Sequence, residues 1–249
     1  MKNVMIAALL LTEAGSVLAS ENVVQVGANY TYANLHVEGQ SSFHGNLGGI
    51  QGSYEYIPWN GIYGGLRVVW RQGTTSNSEA DRKLCYVDVQ ERVGYSFASC
   101  GCDWLLTLFS GFGYRYLGHT LEQSDASPVR FRYNEYYVPV GILSEHYFNS
   151  CWSLGANLIW MPQVDPTVGI VPLHGARWNL TNYLGNLLVE LPISYHFMGN
   201  GCYSIVLKPF YERWGDGRST AQAFNGQKLG LPKNRYNFWG LELNFSLNF

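Results

Sequence analysis

The sequence has 249 residues, a net charge of −2, 47% apolar residues and only 14% charged ones. That length fits one substantial domain, and the apolar content excludes a disordered chain. The charge balance supplies no basic face, so no nucleic-acid partner is expected.

Residues 1–19 read as a secretory signal peptide. Lys2 gives a basic start, Val4 to Leu11 an apolar run, and Val17-Leu18-Ala19 a small-residue cleavage site. No cysteine follows that site, so no lipoprotein anchor is expected. The remaining residues, 20–249, are expected to form one domain. They contain no run of about 18 apolar residues, so no transmembrane helix is expected.

Alternation with period two then recurs along the chain. It is weak at 23–35 and 47–57 and clear at 62–70, where Ile62, Gly64, Leu66, Val68 and Trp70 oppose Arg67 and Arg71. A weaker segment at 83–98 precedes 104–116, where Trp104, Leu106, Leu108, Phe112, Tyr114 and Tyr116 oppose Thr107, Gly113 and Arg115. Another weak segment covers 131–146. Segment 152–160 puts Trp152, Leu154, Ala156, Leu158 and Trp160 on one face. Segment 187–197 sets Leu187, Val189, Leu191, Ile193, Tyr195 and Phe197 against Glu190, Ser194 and His196. A weak segment at 203–214 precedes the sharpest one. There Leu241, Leu243, Phe245, Leu247 and Phe249 oppose Glu242, Asn244, Ser246 and Asn248. The total is ten candidate strands.

The connections alternate in length. Short ones centre on Pro58-Trp59-Asn60-Gly61, Ser99-Cys100-Gly101-Cys102, Phe148-Asn149-Ser150 and Gly199-Asn200-Gly201, all turn formers. Long ones are expected at 37–46, 72–82, 118–130, 162–183 and 215–235. Transmembrane barrels of bacteria show this asymmetry, with short periplasmic turns and longer outer loops. A soluble β-sandwich would also alternate, but its outward face should be charge-rich. Here Trp152 and Trp160 are eight residues apart, which at a tilt of about 40° spans roughly 20 Å of membrane height. The expected fold is therefore an all-β, ten-stranded antiparallel up-and-down transmembrane barrel.

These segments resemble bacterial outer-membrane β-barrel proteins as a class. Phe249, with Phe245 and Leu247 on its face, looks like the C-terminal signal read by the barrel-assembly machinery, although Gly240 lies further upstream than the usual glycine. The resemblance implies outer-membrane location, with outer-membrane lipid and that machinery as partners.

Eleven charges fall on inward faces: Glu55, Asp88, Glu135, Glu190, Glu212 and Glu242 against Arg67, Arg71, Arg92, Arg115 and Lys208. They could line a channel or fill the lumen with ion pairs. Barrels near eight strands are filled by side chains, and an open channel appears near sixteen. Ten strands favour the filled lumen. Ten is also the strand number of the omptin-type outer-membrane proteases, which this chain resembles in size and architecture alone. The acid pair and Asp–His pair of that chemistry have no counterpart spacing among Asp81, Asp88, Asp125, Asp165, Asp216, His119 and His174. His119 and His174 read as loop residues. No His–Ser–Glu set, phosphate loop, metal motif or nucleophile elbow is recognisable, so no catalytic residue and no cofactor is expected.

Four of the five cysteines, Cys100, Cys102, Cys151 and Cys202, fall at short turns and so at the periplasmic rim. The periplasm is oxidising. Successive turns stand roughly 10 Å apart, too far for bridges within one barrel. Disulfide-linked envelope neighbours are the expected partners. Cysteine use of this kind resembles the outer membranes of chlamydia-like bacteria. The leading functional expectation is a structural or surface-interaction role through the outer loops. A small-solute, porin-like channel comes second and an omptin-like hydrolase last.

Overall fold

A computed structural model describes residues 20–39, 41–99, 103–123, 126–171, 177–197, 202–219, 222–224 and 227–249. The signal peptide expected at 1–19 lies outside the described residues, as do Cys100, Cys102, Asp125, His174 and the turn 199–201.

The alternating segments become the staves of a closed barrel. β1 (Ser20–Val37), β2 (Phe43–Pro58), β3 (Asn60–Ser76), β4 (Asp81–Ala98) and β5 (Trp104–Gln123) are long continuous strands. β6 (Ala126–Tyr137) and β7 (Val140–Tyr147) share the sixth stave, and β8 (Trp152–Trp160) and β9 (Gln163–Val171) the seventh. β10 (Arg177–Asn179), β11 (Leu187–Glu190) and β12 (Ile193–His196) make up the eighth. β13 (Tyr203–Asp216) and β16 (Asn234–Asn248) are the ninth and tenth, with a hairpin of β14 (Gln222–Phe224) and β15 (Gln227–Leu229) between them. All pairings are antiparallel, and β1 pairs β16 from Val23–Asn248 to Val37–Asn234. Closure removes the exposed strand edges that an open sheet would leave for aggregation.

Two sequence expectations need correction. Segments 131–146 and 187–197 are not continuous strands: they break around Pro139 and Pro192, as the seventh stave breaks around Pro162. Proline has no N–H to give to the ladder. The neighbours bond around the breaks instead, with Val138 N donating to Pro162 O, Gly155 N to Pro192 O and Leu191 N to Pro209 O. The long loops are also largely strand. The expected loop at 72–82 shrinks to 77–80, and 118–130 is mostly β5 and β6. A spanning strand needs only about 9–11 residues, whereas β1 to β5 have 16 to 20. The surplus rises past the membrane, where outward positions are polar because they face water: Thr74, Ser76, Asp81, Lys83 and Glu122 are exposed. Such stretches have loop-like composition while keeping strand pairing.

The surface is inverted relative to a soluble protein. Val26, Ile50, Ile62 and Val93 are each 60% exposed or more. Aromatic side chains bound this apolar band. Tyr30, Tyr32, Tyr136, Trp160 and Trp239 stand toward the loop end, and Tyr54, Tyr56, Tyr95, Trp104, Trp152 and Tyr203 toward the turn end. Two girdles flanking an apolar belt are what a bilayer selects. At the turn end, Asn149 shapes a hairpin by accepting from Cys151 N at 2.8 Å and Trp152 N at 3.0 Å through its side-chain oxygen.

Candidate functional site: the filled lumen

Inward positions of all ten staves meet in the lumen, which has three tiers from the turn end to the loop end. The first is a vestibule of about 120 Å³. Glu55, Arg67, Arg92, Glu190 and Lys208 line it together with Ser53, Thr107, Asn157, Ser194 and Ser204.

The second tier is an ion-pair layer. Glu242 takes three cations: Arg67 at 2.9 Å, Arg71 at 3.5 Å and Lys208 at 3.8 Å. Arg67 also reaches Glu190 at 3.1 Å, and Asn157 donates to that carboxylate at 3.0 Å. Arg71 binds Glu212 at 2.8 Å, and the Tyr86 hydroxyl donates to the same carboxylate at 2.9 Å. Arg92 approaches Glu55 at 3.4 Å and lies over the Phe109 ring. Asp88 accepts from the Tyr137 hydroxyl at 2.8 Å. Arg115 is held differently. Its carboxylate partners Glu212 and Glu135 stand at 3.7 and 4.0 Å, while its guanidinium centre sits 4.0 Å from the Trp214 ring and 4.6 Å from that of Tyr86. Of the eleven charges predicted inward, ten are buried and Glu55 is half-buried.

Glycines make room for the rings between these charges. A Cβ on Gly113 would stand 2.1 Å from the Tyr137 ring, and one on Gly240 would stand 2.4 Å from that of Phe210. The upstream position of Gly240 therefore has a packing reason.

The third tier fills the part of the barrel that rises past the membrane. Leu35, Val37, Phe43, Leu47, Leu84, Leu117, Tyr133, Val168, Trp178 and Tyr236 are all buried there in one apolar cluster. Arg82 lies 4.0 Å over the Phe43 ring and 3.4 Å from His119 Nδ1. His119 is a buried strand residue against Phe131 and Tyr133, which corrects its reading as a loop residue. Burial, with the Arg82 charge beside it, pushes its pKa down to about 3. Asp216 is also buried and accepts from Gln163 at 3.2 Å. Parity along the expected strands does not place Arg82, His119 and Asp216 in the lumen, because they sit on strand extensions with the composition of loops. Asp81 is exposed at a strand end, and Asp165 is exposed with a positive φ in β9.

One cluster joins residue types that looked unrelated in sequence. At the turn end, the Ser153 hydroxyl donates to Glu145 at 2.5 Å and lies 3.1 Å from His196 Nε2. A nucleophilic triad needs the carboxylate to orient the histidine. Here the carboxylate takes the serine proton bond itself, and Ser153 is buried. The arrangement is a rim hydrogen-bond network. Among the described residues no cluster of His, Cys, Asp and Glu could hold a metal ion.

Comparison with solved structures gives the same architecture. The outer-membrane protease OmpT of Escherichia coli superposes with a TM-score of 0.57 at 10% identity, over 96% of this chain and 99% of that one. The chain folds as a bacterial outer-membrane β-barrel. At 10% identity the likeness shows the fold alone. The toluene transporter TodX of P. putida (TM-score 0.39, 8% identity, 92% and 90% covered) and the Ail protein of Yersinia pestis (0.37, 9%, 92% and 99%) are more distant. No family model matches the chain, and no curated protein matches it.

Proposed function

We propose that this barrel is a sealed outer-membrane scaffold whose role is structural or surface-interacting, through the strand extensions and loops at its outer end. The observation that carries this reading is the third tier. A channel needs a wet path, and the extension is packed with aliphatic and aromatic side chains that no hydrated solute crosses. The ion-pair layer beneath it supports the same reading, since Arg67, Arg71 and Lys208 pair with Glu190, Glu212 and Glu242 across the lumen. A protease of omptin-like architecture would need acids and a histidine held together at the outer rim; Asp81 and Asp165 are exposed there but stand apart on β4 and β9, and Asp88, Asp216 and His119 are buried.

Epitope tags inserted near Ser76, Asp125, Pro172 and Gln222 are expected to be accessible on intact cells, and one near Asn149 is not. Labelling only at Asn149 would reverse the orientation and remove the surface role.

The turn-end cysteines add a means of attachment to neighbouring envelope proteins. Cys151 is a half-buried thiol in the hairpin after β7. Non-reducing gels of envelopes should show higher-mass species that collapse on reduction. A protein that runs as a monomer either way has no such links.

A further inference from the structure

Among the described residues the outer face carries one carboxylate where the bilayer is most apolar, Glu91. Glu91 points outward from β4 and is exposed. Toward the loop end it stands four residues from Val87, which is flanked by Trp70 and Tyr116 of that girdle. Toward the turn end it stands four residues from Tyr95 of the other girdle. It is therefore midway through the belt, with Leu66 and Phe112 directly beside it on β3 and β5. Among the described residues no side chain donates to it. An ionisable group at that depth is costly against lipid and is kept where a partner satisfies it.

A second polar group lies next to it. Ser110 is exposed on the same face of β5, opposite Val93, which is two residues from Glu91. Its hydroxyl has no partner among the described residues. The row through it is low: Gly64, Val93 and Ser110 stand side by side, and a Cβ on Gly64 would meet nothing within 4 Å. Much of the belt elsewhere presents larger side chains, among them Val26, Ile50, Leu158, Leu207 and Leu243. The patch thus combines an acceptor, a donor and a shallow surface that permits close approach.

We propose that this patch is the contact between two copies of the chain, paired about a two-fold axis along the membrane normal. A second copy inserted in the same sense presents the same patch at the same depth, which no other partner is bound to do. In such an isologous contact Ser110 of each barrel donates to Glu91 of the other, so one donor and one acceptor are satisfied twice. The Gly64 row lets the two walls come close enough, as small residues do between membrane helices.

The test uses the full-length barrel in lipid nanodiscs and detergent, under reducing conditions so that cysteines contribute nothing, with oligomeric state read by analytical ultracentrifugation. The natural chain is expected to form a dimer. Glu91→Leu should raise its dissociation constant about tenfold or more, the effect of losing two membrane-buried hydrogen bonds. Glu91→Gln keeps an acceptor for Ser110 and should stay dimeric. Ser110→Ala should weaken the dimer without touching the acid, and it serves in place of Glu91→Leu if that variant does not fold. A natural chain that is monomeric at every concentration overturns the proposal. So does a dimer indifferent to both substitutions, or cross-linking through position 91 to a different protein in native envelopes.

Discussion

The middle and the outer end of the lumen are filled by opposite means. In the middle, Arg67, Arg71, Lys208, Glu190, Glu212 and Glu242 hold one another in a layer where each carboxylate serves more than one cation or donor. At the outer end, Leu35, Phe43, Leu84, Trp178 and their neighbours fill the same cross-section with apolar side chains. The first filling works only as a set, because a charge left without its partner stays desolvated. The second is close-packed apolar matter, where the loss of one side chain costs its transfer free energy and the cavity it leaves. Two plugs in series close the barrel, and they should fail differently.

Glu242→Ala tests the ionic layer at its hub. It leaves Arg67, Arg71 and Lys208 without their shared carboxylate, at a cost of about 3–5 kcal/mol. Leu35→Ala tests the apolar tier, at about 2–4 kcal/mol. Both should lower the temperature at which the folded, heat-modifiable band disappears, the first by more. Only the cost of Glu242→Ala should shrink when Lys208, whose one ion pair among the described residues is with Glu242, is also replaced by an apolar residue, since removing both partners of a buried ion pair is often near neutral. Equal responses from the two variants would erase the distinction between tiers.

His119 sharpens the comparison with a smaller, pH-dependent effect. Its pKa in the folded barrel is about 3, against an ordinary value of 6.5. The unfolded chain therefore binds a proton that the folded one refuses between those values. Stability contributed by neutral His119 is fully present above pH 6.5 and is lost as pH falls toward 3, by up to about tenfold in the folding equilibrium per pH unit. Arg82, the charged group beside it, stays cationic over that range. His119→Phe should flatten the acid limb of the unfolding curve measured from pH 6.5 to 3.5. An unchanged limb would mean that His119 is not buried as described.

The barrel itself was legible because membrane strands alternate apolar and polar residues with an outward belt. Leu241 to Phe249 and Trp152 to Trp160 carry that pattern without interruption. The inward charges were legible for the same reason: parity along a strand places Arg67, Arg71 and Glu242 inside once their neighbours are outside. What parity could not show was the extension. Past the girdle both faces of Thr74, Thr75 and Ser76 or of Gly118, His119 and Thr120 lose the lipid signal, so the strand extensions have the composition of loops and hide the apolar third tier. Nor does parity give partners across the lumen: Arg71 and Glu212 are 141 positions apart, and only the closure of β1 on β16 brings their staves to face each other.

The sealed lumen is tested most directly by electrical recording of the purified natural chain in a planar bilayer. A barrel filled by both tiers gives no stable, reproducible conductance at any holding potential that the bilayer survives. Steady, ion-selective single-channel openings from the natural sequence would contradict the account and put the small-solute channel in its place.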